Sequence, residues 1–197
     1  MSDRGAQRQP VYKLGRRFYQ RPGEVVAREL LGKILVHRLG RRMYRCRIVE
    51  TEAYLGPADL ASHASKGRTN RTEVMFGRAG HAYVYFIYGM YDMFNIVAGN
   101  VGDAHAILIR AGEALDGWEA DLSGPGKLAR AMKITRRDNA LDLAGKVIYL
   151  ADDGTTPRAV LASARIGIDY AQHWKDALLR FHDADSAAVS KVRRGVT

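Results

Sequence analysis

Cysteine is almost absent from this chain: Cys46 stands alone among 197 residues. A single thiol excludes an internal disulfide and any structural zinc site built on several thiolates, and it suits a reducing compartment. Its place between Arg45 and Arg47 on an apparent strand argues against a nucleophilic role. Proline is scarce as well, with five residues, and no Pro-rich, Gly-rich or low-complexity stretch divides the chain, so one domain with a sizeable core is expected. Long apolar runs are missing too. No apolar segment opens the chain, and the longest uncharged run, residues 79–91, is too short and too rich in Tyr and Gly to span a bilayer. A soluble, intracellular protein without membrane contact is the expectation.

Acidic residues are lacking at one end. The first 47 residues carry 13 Lys and Arg against three Asp and Glu, while the remaining 150 carry 18 of each, so the whole excess of +10 sits in the first quarter. Basic residues gathered in this way suit a polyanionic partner, because neutralising phosphates releases condensed counterions. The plainer alternative is a solvated basic arm.

What is present divides into a basic arm over 1–17, expected to be disordered, a single domain over 18–182, and a polar tail over 183–197. Pro22 sits just inside a helix start, with Val25, Val26, Leu30 and Leu31 as its apolar face and Gly32 as its end. Strands are predicted over 33–38 and 42–54, joined as a hairpin through Gly40. A polar loop or short helix fills 58–80. Further strands follow over 83–88, 94–97 and 104–111, with a turn at Gly89 and Met90; then come a helix over 125–134, strands over 146–150 and 160–168, and a closing segment over 174–181. This hairpin-like order predicts an α+β domain with an antiparallel or mixed sheet rather than a doubly wound one.

Side chains alternate along a strand, so Glu50, Glu52 and Tyr54 fall on one face. A carboxylate set beside an aromatic wall can act as a general base toward water; the structural alternative is a glutamate paired with Arg45 or Arg47, which suits Glu50 better than Glu52. In the next strand Tyr83, Tyr85 and Ile87 share one face, and Val84, Phe86 and Tyr88 the other. Tyrosines at this density suit stacking on nucleobases, although core packing explains most such rings. His63, His81 and His105 raise the question of a metal, but no His-x-x-x-His or Cys-His spacing supports one. The run Gly124-Pro125-Gly126-Lys127 before a helix suits a backbone phosphate of nucleic acid, and it lacks the pattern of a nucleotide-binding loop.

Taken together, Arg-Ile-Val-Glu-Thr-Glu-Ala-Tyr-Leu-Gly-Pro at 47–57, His63, Met75-Phe76 and Tyr-Val-Tyr-Phe-Ile-Tyr-Gly-Met-Tyr at 83–91 resemble the alkyladenine (3-methyladenine) DNA glycosylase family. The resemblance continues through Asn95, Ile107-Leu108-Ile109-Arg110-Ala111, Gly124-Pro125-Gly126-Lys127-Leu128, Ala164-Arg165-Ile166-Gly167 and Leu179-Arg180-Phe181, and so covers about residues 18–182. It implies one α+β domain with a curved, mostly antiparallel sheet, flanking helices and a protruding hairpin that enters the DNA minor groove. The implied partner is double-stranded DNA containing damaged purines, met by a monomer without cofactor or metal. The implied place is the cytoplasm, at the nucleoid of a bacterium, or the nucleus of a eukaryote.

The same resemblance implies a DNA repair enzyme that flips 3-methyladenine, 7-methylguanine or hypoxanthine out of the duplex and hydrolyses the N-glycosidic bond, leaving an abasic site. Residue by residue, Glu52 matches the family's general base, and Arg110 and the main chain at Ile166 match positions that fix the attacking water. Tyr54, His63 and Tyr85 match the walls that sandwich the base, Asn95 the residue that turns guanine away, and Tyr88 the wedge that fills the vacated stack. Arg68, Arg71 and Lys127 are candidate phosphate contacts. No lysine aligns with a Schiff-base role, so strand cleavage is not expected. Two departures stand out: Asn70 lies where many relatives have Pro, and the segment 115–122 is shorter than usual. The rival readings are a damaged-DNA recognition module without catalysis, and an RNA-binding or RNA-processing domain.

Overall fold

The structure is a computed structural model that describes residues 11–190. In chain order the elements are β1 (Tyr12–Lys13), α1 (Arg16–Tyr19), α2 (Gly23–Glu29), β2 (Ile34–Leu39), β3 (Arg42–Leu55), β4 (Ala82–Ile87), β5 (Tyr91–Ala98), β6 (His105–Ala114), α3 (Pro125–Ala131), β7 (Ile148–Asp152), β8 (Val160–Ser163) and β9 (Arg180–Asp183). The nine strands form one antiparallel sheet in the order β1-β7-β2-β3-β6-β5-β4, with β9 paired to β3 and β8. The chain is therefore a single α+β domain rich in sheet, as its pattern of turns predicts. Among the described residues no helix is long and apolar enough to cross a membrane.

β3 organises the sheet because it changes neighbours along its length. Its first half pairs β2 through the turn at Gly40, its second half takes β9 over Glu50–Glu52, and its other edge runs along β6. Where the pairing passes from β2 to β9 the ladder with β6 slips, with register shifts between Ile48 and Glu50 and between Glu50 and Thr51. Such a bulge twists the strand and re-aims its side chains. Strict alternation from 50 to 54 thus fails at Glu50, and the three residues do not form one uniform row.

α2 lies over this strand. Val26, Ala27, Leu30 and Leu31 are buried with Ile48, Ala53, Phe94, Ile107 and Phe181 in the main core, and the Thr51 hydroxyl donates to the Ala27 carbonyl at 2.8 Å. Burial of this kind is worth about 25 cal/mol per Å² of apolar area. Val25, expected on the buried face, is 40% exposed, because the helix is short and turns that position outward. Pro22 is the N-cap of α2, one position before the helix rather than just inside it, and Gly32 lies past its end at φ 84, as its type suggests.

Three expectations need correction. Of the arm over 1–17, the first ten residues lie outside the described residues, but Tyr12 and Lys13 pair with Asp152 and Ala151, and Arg16 opens α1. The strand expected over 160–168 stops at Ser163, since Arg165 turns inward to a buried acid. The tail from 183 begins inside β9, and Ser190 at its far end is buried; residues 191–197 lie outside the described residues.

Candidate active site

A cavity of about 280 Å³ opens between the ends of β3, β4, β5 and β6 and the segment 166–170. Its wall is aromatic: Tyr54, His63, Tyr83, Tyr85, Tyr88 and Tyr170 all line it. Period-two alternation accounts for Tyr83, Tyr85 and Ile87, which share the cavity side of β4. Tyr88 breaks the rule. Alternation places it on the opposite face, but its backbone adopts φ 54, so the strand ends at Ile87 and the ring turns into the cavity rim at the hairpin tip, 78% exposed. A left-handed backbone under an aromatic side chain costs on the order of 1–2 kcal/mol, and strain of this sort gathers at functional positions.

Behind the wall of this cavity stands Glu52, fully buried on β3. One carboxylate oxygen, Oε1, accepts the Ile166 main-chain N–H at 2.8 Å; the other, Oε2, accepts the Tyr54 hydroxyl at 2.8 Å and Nη1 of Arg110 at 3.1 Å. All three donors line the cavity, whereas Glu52 itself lies just behind them. A carboxylate offers about four lone-pair sites, so three protein donors leave one acceptor site, on Oε1. The protein's own donors therefore leave Oε1 one acceptor position short of full.

Arg110 is shared between two acids. Besides its bond to Glu52, its Nε lies 3.4 Å from Glu50 Oε1. Glu50, also fully buried, is held from behind by Arg180 Nε at 2.5 Å and by the Ser190 N–H and hydroxyl at 2.7 and 2.5 Å. The alternative partners read from the sequence are occupied elsewhere: Arg45 pairs with Asp116 and Arg47 with Asp153. Burial works against the charge of Arg110, but the carboxylates of Glu52 and Glu50 outweigh it and raise its pKa above the usual value. The Tyr54 hydroxyl is pushed well up, by burial first and then by Glu52, and so stays a proton donor.

His63 meets the Tyr85 ring edge-on at 4.6 Å between centroids, and its Nδ1 lies 2.8 Å from the Tyr83 hydroxyl. Nε2 faces the Arg71 guanidinium at 3.4 Å, and since arginine only donates, Nε2 is the acceptor and Nδ1–H donates to Tyr83. Burial and then the nearby Arg71 lower the His63 pKa to about 4, so the ring is neutral at pH 7. Asn95 is 2% exposed and its amide nitrogen is pinned by the Tyr83 and Met93 carbonyls at 3.1 and 3.3 Å.

The three candidate phosphate contacts fare differently. Arg68 pairs with Glu73 at 3.2 Å and Lys127 with Asp121 at 2.7 Å, so an incoming phosphate would have to displace a carboxylate at each. Arg71 lies over the Tyr85 ring at 5.0 Å and makes no ion pair among the described residues. The histidines are not gathered around Glu52: His81 bonds the Arg78 carbonyl and His105 accepts from the Gly23 amide. Among the described residues no group of three or more His, Cys, Asp or Glu is arranged to hold a metal ion. Sequence reading passed over Tyr83 as a partner of His63, Tyr170 and Met93 as wall residues, and the acid Asp59. Only Tyr83 carried a signal, through its alternation with Tyr85.

The sequence profile of the family described as Methylpurine-DNA glycosylase matches residues 17–187. Curated relatives agree. A protein of Legionella pneumophila (strain Lens) named "Putative 3-methyladenine DNA glycosylase" is 49% identical over 180 residues, covering 91% of this chain and 98% of its own. Proteins of the same name from Methanocella arvoryzae and Desulfitobacterium hafniense are 48% and 42% identical, each over 90% of this chain and over 96% and 98% of their own.

Proposed function

The chain belongs to the methylpurine-DNA glycosylase family, which makes it a DNA repair glycosylase acting on damaged DNA, and from the setting of Glu52 we propose how it excises alkylated purines. The observation that carries this reading is a fully buried carboxylate with one unused acceptor site, held by three donors that themselves line a tyrosine-rich cavity.

The target nucleotide swings out of the duplex, and the Tyr88 ring on the hairpin tip takes its place in the stack. The released purine enters the cavity between Tyr54 on one side and His63 with Tyr85 on the other. Ring faces attract positive charge, so a base made cationic by methylation, such as 3-methyladenine or 7-methylguanine, is favoured twice: it binds the aromatic wall and it leaves its sugar readily. The neutral state of His63 at pH 7 keeps like charge away from it. Asn95, pinned by two main-chain carbonyls, clashes with the exocyclic amino group of guanine, so unmodified guanine is turned away, whereas 7-methylguanine, which carries the same group, offsets that clash by its positive charge and ready departure. Hypoxanthine lacks the amino group and passes.

As the bond between C1′ and the base nitrogen breaks, its electron pair leaves with the purine and positive charge gathers on the sugar. The water bound at Oε1 of Glu52 attacks C1′ and gives its proton to the carboxylate. Arg110 and the Ile166 amide hold that carboxylate in place, and its negative charge also stabilises the developing cation. Among the described residues no lysine lines the cavity, which supports a hydrolytic reaction that leaves an abasic site without strand cleavage.

The test uses a duplex with a single 7-methylguanine or hypoxanthine, incubated with protein free of added metal, and follows free base. Glu52→Gln keeps the shape and removes the base, so release should fall about 100-fold or more while binding to the damaged duplex persists. An active Glu52→Gln protein refutes the assignment.

A further inference from the structure

One buried ion pair stands outside the contacts assigned so far. Asp59 and Arg165 both have fully buried side chains and meet fork to fork, Nη1 to Oδ2 at 2.5 Å and Nη2 to Oδ1 at 2.9 Å. Desolvation offsets much of the attraction in such a pair, so its presence is weak evidence of a stability role. What the two residues hold besides each other is more telling. Asp59 accepts the Leu55 amide at the end of β3 and the Ala61 amide in the cavity wall, both at 3.0 Å. Arg165 donates to the Ala53 carbonyl within β3 at 2.9 Å, and its guanidinium lies over the Tyr54 ring at 4.7 Å. The next residue is Ile166, whose amide holds Glu52.

Two of the three donors to the Glu52 carboxylate, the Tyr54 hydroxyl and the Ile166 amide, therefore sit on groups that Arg165 fixes directly. The turn that leads from β3 to Asp59 requires glycine at 56, where φ is 79 and a Cβ would lie 2.2 Å from the Asp103 carbonyl oxygen. Arg165 is not part of the cavity wall. Any effect it has on the reaction must pass through Tyr54 and Ile166.

We propose that Arg165, clamped by Asp59, is a positioning residue for base excision, setting the Ile166 amide and the Tyr54 ring and through them the aim of the Glu52 carboxylate. The proposal rests on the reading of Glu52 as general base. Arg165→Lys keeps a cation beside Asp59 but loses the planar fork and the flat face over Tyr54. Asp59→Asn keeps the shape of the acid and loses its charge.

Both variants are compared with the wild type in single-turnover excision and in affinity for a duplex carrying an abasic-site analogue, with rates normalised to analogue-binding protein. A misplaced catalytic group costs about 100-fold for 1 Å of displacement, so Arg165→Lys should excise about 10- to 100-fold more slowly while analogue affinity stays within about threefold. The loss should fall on the excision step and not on analogue affinity, a split that general loosening of the fold does not produce. Asp59→Asn should show the same split. Rates within threefold of the wild type, or slower rates with analogue affinity lost in proportion, overturn the proposal, as does failure of both variants to fold, which would make the pair purely structural. An inactive wild type on the same duplexes removes the glycosylase mechanism itself, a result distinct from an active wild type beside an equally active Arg165→Lys.

Discussion

The neutral state of His63 makes a prediction whose size follows from its surroundings. Its pKa lies near 4 in the folded protein against an ordinary 6.5, lowered by burial and by Arg71. Between these values the unfolded chain binds the proton that the folded ring refuses, so stability rises with pH across this window and is lost as pH falls from about 6.5 to 4. A gap of this width corresponds to about 3 kcal/mol, and solvent screening of a half-buried ring reduces it to about 2 kcal/mol. For a chain of this length about 2 kcal/mol moves the melting midpoint by roughly 4–8 °C. His105 and His182 are shifted in the same direction, so total acid sensitivity does not isolate one ring. The difference between wild type and His63→Gln does. The variant should keep its midpoint better on going from pH 7 to pH 4.5, closing a gap of several degrees, while NMR titration of the wild type shows one ring still neutral at pH 5. Parallel pH curves for the two proteins, or a His63 ring titrating near 6.5, refute both the burial argument and the account of why this wall tolerates a cationic base.

Two further outcomes follow from the cavity. Tyr88→Ala removes an exposed ring while keeping the Cβ at the same positive φ; it should leave the melting midpoint unchanged and weaken retention of the flipped base, read as at least a tenfold loss in single-turnover excision from a duplex, with a smaller loss on a mispaired lesion. A duplex rate equal to that of the wild type would remove the wedge. Asn95→Ala frees the space that the pinned amide occupies, so release of unmodified guanine should become detectable while excision of hypoxanthine is retained. A variant that still ignores guanine would place that discrimination elsewhere.

The part of this site that the sequence discloses is the part with local causes. Glu52, Tyr54, Tyr83 and Tyr85 are placed by alternation on β3 and β4, and Pro22, Gly32 and Gly40 punctuate the chain as their backbone preferences require. Tyr88 defeats alternation because one positive φ turns it over, and nothing in its residue type announces that. The charges are the larger lesson. Residues 48–197 carry equal numbers of acidic and basic groups, which reads as a neutral surface. Three of those acids, Glu50, Glu52 and Asp59, are instead buried on β3 and the turn after it, each answered by an arginine from later in the chain, Arg180, Arg110 and Arg165. The partners lie 130, 58 and 106 positions apart, and no periodicity pairs charges across such distances. Ser190 hides for the same reason: a serine in a polar tail looks dispensable until Glu50, 140 positions earlier, needs its last donors. Because Glu52 takes its donors from β3 itself, from β6 and from Ile166, it acquires its setting only once the sheet has closed over the strand that carries it. Until β8 and β9 dock, the carboxylate lacks the Ile166 amide and the rear support that Arg180 gives through Glu50 and Arg110, so the reactive arrangement is a property of the closed fold and of no single segment.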